Sequence, residues 1–292
     1  MQGDPRPALA GIGDEAATDL TGQLAAIRRL GWSGVELRTV DGTALAELQP
    51  GDARRVVRQV RAAGLDVVCL ASRIGNWARP VTAPFEPDLA ELDRLAELGA
   101  ELGCRHVRIM SYPNDGLAEA EWGARARERV ARLADRATEL DVVLVHENCA
   151  GWAAGDPERM LRLLADAPAL RLLFDTGNGA EHGYRAIEVL RHVVTHVVHV
   201  HVKDAIGAPG AVTYARPGEG SAGVADCLRL LLNSGYRGAF SLEPHLATRP
   251  HEGSGPDADA ADRFVDAGRC LERLLGDLLA PYAAGVAAPG RS

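Results

Sequence analysis

Aromatic side chains are scarce in this 292-residue chain: Phe, Trp and Tyr together make up 4% of it. Ala, Leu and Val must therefore fill whatever core it builds. Cysteine is also sparse. The five thiols, at 69, 104, 149, 227 and 270, are odd in number, form no Cys-x-x-Cys pair and have no partner at zinc-finger spacing. That excludes a disulfide framework and a zinc finger, and reads as reduced thiols. No run approaches the roughly 18 apolar residues that a membrane helix needs. Met1 to Pro7 lacks the apolar centre of a signal peptide, so no membrane partner and a cytoplasmic location are expected. Positive charge is in deficit, with a formal net charge of −8; a broad grip on nucleic acid calls for a basic stripe. A phosphate loop is missing too. Gly11-Ile12-Gly13 lacks the third glycine of the dinucleotide fingerprint, and nothing matches GxxxxGK[ST].

What is present is a regular alternation. Hydrophobic residues are 47% and charged residues 25%, enough for a sizeable core. Short apolar runs fall at Ala8–Ile12, Gly34–Leu37, Leu65–Leu70, His106–Met110, Val142–His146, Leu170–Phe174, His196–Val202 and Ala239–Leu242. Between them lie stretches with helical spacing, such as Leu20, Leu24, Ile27 and Leu30. Further helices are expected over about 53–63, 88–102, 119–140, from Pro157, 184–192, 223–233 and 259–279. Eight strands alternating with eight helices predict a single α/β (β/α)8 TIM barrel over residues 1–280, with a disordered tail over 281–292. An open doubly wound sheet would usually show fewer units and a glycine-rich loop after its first strand.

The ends of the last four strands carry the chemistry. They read Val145-His146-Glu147-Asn148, Phe174-Asp175-Thr176-Gly177-Asn178, His199-Val200-His201-Val202-Lys203-Asp204 and Ser241-Leu242-Glu243-Pro244-His245. In a barrel these four ends share one rim, the rim where active sites lie. One acid at a strand end is commonly a helix cap or half of a salt bridge. Four metal-competent groups at matched positions have no such ordinary explanation. Two glutamates, an aspartate and an imidazole suit Mn²⁺, Mg²⁺, Co²⁺ or Zn²⁺ with positions left open.

HENCAGW, LLFDTGN, HVHVKD, RPGEG, FSLEP and GWSGVELR resemble the motifs of the xylose-isomerase-like sugar-phosphate isomerase/epimerase superfamily. The resemblance spans most of the chain. It implies one divalent ion, Mn²⁺ first among the candidates, on Glu147, Asp175, His201 and Glu243, and a small sugar-like substrate. Glu147 and Glu243 take the catalytic roles. Arg216, before Pro217-Gly218-Glu219-Gly220, matches a basic residue that reaches the substrate. Relatives often assemble as dimers or tetramers, so a homo-oligomer is also implied.

Two departures bear on this. Sugar epimerases often carry a histidine three residues after the strand-six aspartate; here Asn178 stands there, able to donate a hydrogen bond but not to act as an imidazolium. The apurinic-site endonucleases of the superfamily need more histidines, where this chain offers Arg38, Ser72 and Ser111, so a three-metal nuclease is not expected. His199 shares the phase of His201 but lies deeper and reads as a barrel-interior residue; His196 reads as structural. Lys203, His245 and His182 are candidate substrate contacts. In the long connection 71–87, Arg73, Asn76 and Trp77 could wall a sugar.

The expected function is therefore a metal-dependent sugar or cyclitol isomerase or epimerase. An ion holding two adjacent substrate oxygens stabilises an enediolate, while one glutamate removes a proton and the other returns it. The same ligands would serve a dehydratase or a C-glycoside-cleaving lyase if a β-substituent departs.

Overall fold

The computed structural model describes residues 7–246 and 256–283. Eight strands alternate with helices: β1 (Ala8–Gly11), β2 (Gly34–Leu37), β3 (Asp66–Ala71), β4 (His106–Ser111), β5 (Val143–Gly151), β6 (Arg171–Asp175), β7 (Val197–Val202) and β8 (Ala239–Leu242). They form one sheet in the order β1-β8-β7-β6-β5-β4-β3-β2. The strand pairings within it are parallel. A parallel bridge from Ile12 to Glu36 brings the first and last members together, so the sheet is a nearly closed barrel. Parallel strands need crossover helices, and these bury the outer face of each strand.

The helices are α1 (Leu20–Leu30), α2 (Pro50–Ala63), α3 (Glu86–Leu102), α4 (Glu119–Glu139), α5 (Pro157–Asp166), α6 (Asn178–His182), α7 (Ala186–Val193), α8 (Val224–Asn233) and α9 (Ala260–Ala283). Their ends follow local chemistry. Asp19 caps α1 by accepting from Gly22 N at 2.9 Å, and Asp156 caps α5 ahead of Pro157. Proline in the first turn starts α2 at Pro50, three residues before the apolar spacing begins.

The main apolar core lies between strands and helices, with Ile27, Val35, Leu92, Val130, Phe240 and Phe264 among its fully buried members. Cys69, Val145 and Leu173 form a small separate cluster on the inward phase of their strands. The barrel's interior is otherwise polar where it matters, with Glu36, Arg108, His199 and His201 all buried.

Two elements differ from the sequence pattern. β5 continues past His146 to Gly151, because Ser111 pairs with Gly151 beyond an irregularity. The single helix expected over 184–192 is preceded by a separate turn of helix, α6. Asp175 starts it, its Oδ1 accepting from Gly177 N and Asn178 N, each at 2.7 Å. Gly183, with φ +78°, ends it. The described residues therefore hold nine α-helices. The expected tail lies, from residue 284 on, outside the described residues; before that, α9 runs to Ala283.

Candidate metal centre and active-site cavity

β5, β6, β7 and the residue after β8 deliver Glu147, Asp175, His201 and Glu243 to the carboxyl-terminal rim. In the ladder Asp175 stands opposite His201, and His201 opposite Ser241. One ligand atom from each of the four residues falls in a set whose members lie within 4.8 Å of one another. His201 Nδ1 is 3.5 Å from Glu147 Oε1 and 3.4 Å from Glu243 Oε2. All four side chains are buried.

The residues fit a cation. His201 Nδ1 is buried and makes no hydrogen bond, and the buried Asp175 Oδ2 and Glu243 Oε2 have only the Lys203 ammonium beside them. Polar atoms rarely stay buried in that condition without a function for them. They converge, and their mixed oxygen and nitrogen chemistry is that of a divalent-metal site with open positions. Lys203 Nζ offsets the charge of the two carboxylate oxygens, at 3.1 Å from Asp175 Oδ2 and 2.8 Å from Glu243 Oε2.

Neighbouring groups hold each of the four side chains in place. Arg38, at the end of β2, donates from Nη1 to Glu243 Oε1 at 2.7 Å and from Nη2 to Asp14 at 2.8 Å and Glu15 at 3.2 Å. Arg108 on β4 faces Glu147 Oε2 at 3.4 Å. Asn178 donates to Glu147 Oε1 at 3.2 Å and accepts from Lys203 Nζ at 3.0 Å. Asn148 clamps the backbone of Asp175, donating to its carbonyl at 2.9 Å and accepting from its N–H at 2.6 Å. Glu36 takes His199 Nε2 at 2.8 Å and His201 Nε2 at 2.9 Å.

Burial acts to raise the Glu147 carboxyl, but Arg108 and then His201 outweigh it and bring its pKa down to about 2. Glu243 is likewise held well below the usual carboxylate range, Lys203, His245 and His201 outweighing burial. Asp175 goes the other way. Its burial prevails over the attraction of Lys203 and lifts it to about 6. All three are thus ionised at neutral pH, as ligation requires.

Above the cage opens a cavity of about 390 Å³, within the range of small-molecule sites. Its lining includes Glu147, Glu243, Asn178, Lys203, His182, His245 and Trp77. Trp77, 44% exposed, stands at the cavity wall. Lys203 points inward rather than pairing with Asp204, whose carboxylate instead accepts backbone N–H groups of Gly218, Gly220 and Ala222. His245 is held by Glu15, its Nδ1 2.6 Å from Oε1 and its backbone N–H donating to Oε2 at 2.7 Å.

Three sequence candidates are not brought to this wall. Asn76 is buried in its own turn, accepting from Ala78 N at 3.1 Å. Arg216 is exposed and paired with Glu219 at 2.8 Å. Arg73 reaches out to Glu47. None of the three lines the cavity. Conversely, Arg38, Arg108, Met110, Cys149, Glu181 and Tyr214 do line it, and Glu36 and Glu15 support it from behind. The signal for Arg108 and Glu36 was a charged residue inside an apolar strand at the inward phase, in His106-Val107-Arg108-Ile109-Met110 and Gly34-Val35-Glu36-Leu37. His199 is an interior residue, as its phase implied.

The barrel and its rim define the class. The model of the xylose isomerase-like TIM barrel family matches residues 24–266, and the chain belongs to that family. Among particular relatives, the rhizopine catabolism protein MocC of Rhizobium meliloti is 28% identical over 260 residues, covering 77% of this chain and 74% of that protein. The structure of an L-ribulose 3-epimerase superposes with a TM-score of 0.74 at 16% identity, covering 98% of this chain and all of that one (100%). The probable 3-DHS dehydratase AsbF of Bacillus anthracis, involved in petrobactin synthesis, superposes with a TM-score of 0.70 at 14% identity, covering 91% and 98%. At these identities the two structural likenesses speak for the fold.

Proposed function

We propose that the protein is a divalent-metal-dependent isomerase or epimerase of a sugar or cyclitol, working by proton transfer next to a carbonyl. The observation that supports this reading is the convergence of buried ligand atoms of Glu147, Asp175, His201 and Glu243 within 4.8 Å of one another, His201 Nδ1 among them without a hydrogen bond. A bound ion would polarise the carbonyl and carry part of the charge that proton removal leaves. Mn²⁺ is the preferred ion, with Mg²⁺, Co²⁺ and Zn²⁺ as alternatives for the same donor set. Among the similar proteins, an L-ribulose 3-epimerase shares the fold, and the relative of 28% identity is named for rhizopine catabolism.

In this reading Glu147 and Glu243 flank the substrate. One takes the proton from carbon and the other returns one. Arg108 holds Glu147 ionised, and Arg38 orients Glu243. Asn178 and Lys203 present hydrogen-bond donors to substrate hydroxyls, His245 orients a further hydroxyl, and the face of Trp77 covers the ring. Substrate is then a ketose or keto-cyclitol of one ring or one short chain. Reduced thiols at all five cysteines suit the cytoplasm, and no helix among the described residues is long and apolar enough to cross a membrane. A homo-dimer or tetramer, and one barrel domain over 1–280, belong to the same proposal.

A lyase on the same cage is the second reading. It is favoured by Lys203 and His245, both at the cavity wall and both able to give a proton to a departing hydroxyl or aglycone.

The test is turnover of ketoses and keto-cyclitols in deuterium oxide by metal-loaded enzyme, beside Glu147→Gln. Deuterium is expected at the carbon next to the carbonyl in an epimerised or isomerised product, with turnover at least 10²-fold lower in the variant. Full turnover in Glu147→Gln contradicts the reading, and a dehydrated product moves the protein to the lyase class.

A further inference from the structure

We propose that Glu36 is a positioning residue for the metal centre: one buried carboxylate inside the barrel grips His201 with one oxygen and His199 with the other, and so decides which ring nitrogen of His201 faces the ion. This rests on the metal-dependent reading above, since the grip matters only if the cage takes a cation.

The geometry is specific. Glu36 Oε1 lies 2.9 Å from His201 Nε2, and Oε2 lies 2.8 Å from His199 Nε2. All three residues are at most 1% exposed. An ionised carboxylate only accepts hydrogen bonds. Both imidazoles must then donate from Nε2, so that the nitrogen left to give its lone pair to a bound ion, once any proton on it is displaced, is His201 Nδ1. That is the atom lying 3.5 Å from Glu147 Oε1 and 3.4 Å from Glu243 Oε2 without a hydrogen bond. The two rings meet edge to face, with centroids 5.5 Å apart at 82°, so His199 also buttresses the ring that it does not bond. Glu36, Cys69 and His199 have ligand atoms within 4.8 Å of one another. The Glu36 oxygens and His199 Nε2 are already committed to hydrogen bonds, so this trio is the support of the metal cage and not a second one.

Outer carboxylates of this kind fix the tautomer and orientation of a metal-bound histidine, and their loss typically costs 10–100-fold in affinity or activity. Glutamine is nearly isosteric with glutamate but carries one acceptor oxygen and one NH₂ donor. In Glu36→Gln only one of the two imidazoles can keep its Nε2–H bond. Either His201 moves its proton to Nδ1, the ion-facing atom, or it loses the anionic partner.

The experiment titrates Mn²⁺ into chelator-stripped protein, following free Mn²⁺ by electron paramagnetic resonance, for the unmodified chain and for Glu36→Gln. Dissociation constants 10–100-fold weaker are expected in the variant, with unchanged far-ultraviolet circular dichroism. Equal affinity in a variant that keeps its fold overturns the positioning role. An unmodified chain that binds no Mn²⁺ overturns the metal reading itself. Should the variant not fold, ¹⁵N-histidine spectra of the unmodified chain with Mg²⁺ decide, His201 being assigned through His201→Gln. The expected signal is a proton on Nε2 of His201 and none on Nδ1; the reverse tautomer overturns the proposal.

Discussion

His106 opens β4 at the end of the barrel opposite the metal cage, and its Nδ1 lies 3.3 Å from the Val68 carbonyl. Burial, and after it the neighbouring His199, lower its pKa below 6.5. The unfolded chain therefore takes up a proton that the native chain refuses. Stability from this residue is present above about pH 6.5 and is lost as pH falls below that value. Thermal melts between pH 8 and pH 5 are expected to show this acid limb, and His106→Gln to flatten it. An unchanged slope in the variant would remove His106 from the explanation. At this scale the sequence was informative about the rim and much less so about what stands behind it. Glu147, Asp175, His201 and Glu243 were legible because strand ends can be counted. The roles of Glu36 and Glu15 were not, because their partners lie 163 to 230 residues away along the chain. Asn76 was misleading for a local reason: its side chain closes its own turn at Ala78 instead of entering the cavity.

Among the elements, β5 does the most to shape the site. It carries Glu147 and Asn148 and then runs on to Gly151, whose φ is +100°. A Cβ there would lie 2.3 Å from the Ser111 carbonyl carbon, too close for any side chain. Gly151→Ala is expected to destabilise the fold by about 1–3 kcal/mol, read as a lower urea midpoint with unchanged m-value. A midpoint equal to that of the unmodified protein would show that β4 and β5 do not meet there as described. The extension was hidden in the sequence because Asn148 to Gly151 has no alternation of apolar and polar residues. It is held by one irregular pairing and by the Ser111 hydroxyl, which accepts from Ala153 N at 2.9 Å. α6 was hidden likewise. Its five residues include a glycine, and its start depends on Asp175 accepting two backbone N–H groups, a second use of a side chain that the sequence marks only as a ligand.

Over the whole molecule, ring closure is the structural requirement, since the four candidate ligands share a rim only if the sheet returns on itself. The direct bridge between the first two strands is the contact of Ile12 with Glu36, so packing from outside must help. α9 supplies it, lying against α1. Phe264 fits over Gly11, where a Cβ would come 2.5 Å from its ring. Phe264→Ala is expected to cost about 3–5 kcal/mol in a denaturant melt, with loss of metal affinity alongside. A cost below about 1 kcal/mol would mean that the closing helix is dispensable to the barrel. Alternation of eight runs made the barrel legible from the sequence, because each run is short, apolar and followed by a helical pattern. How the barrel closes was not legible, because it depends on contacts between residues some 250 positions apart.

Whether the four rim side chains share one cation decides the chemistry of this barrel. Elemental analysis of protein purified without chelator, followed by chelation and reloading with Mn²⁺, measures this directly. About one equivalent of divalent metal per chain is expected, abolished by the double substitution Asp175→Asn and His201→Gln. No bound metal, or two to three equivalents unaffected by those substitutions, would contradict it.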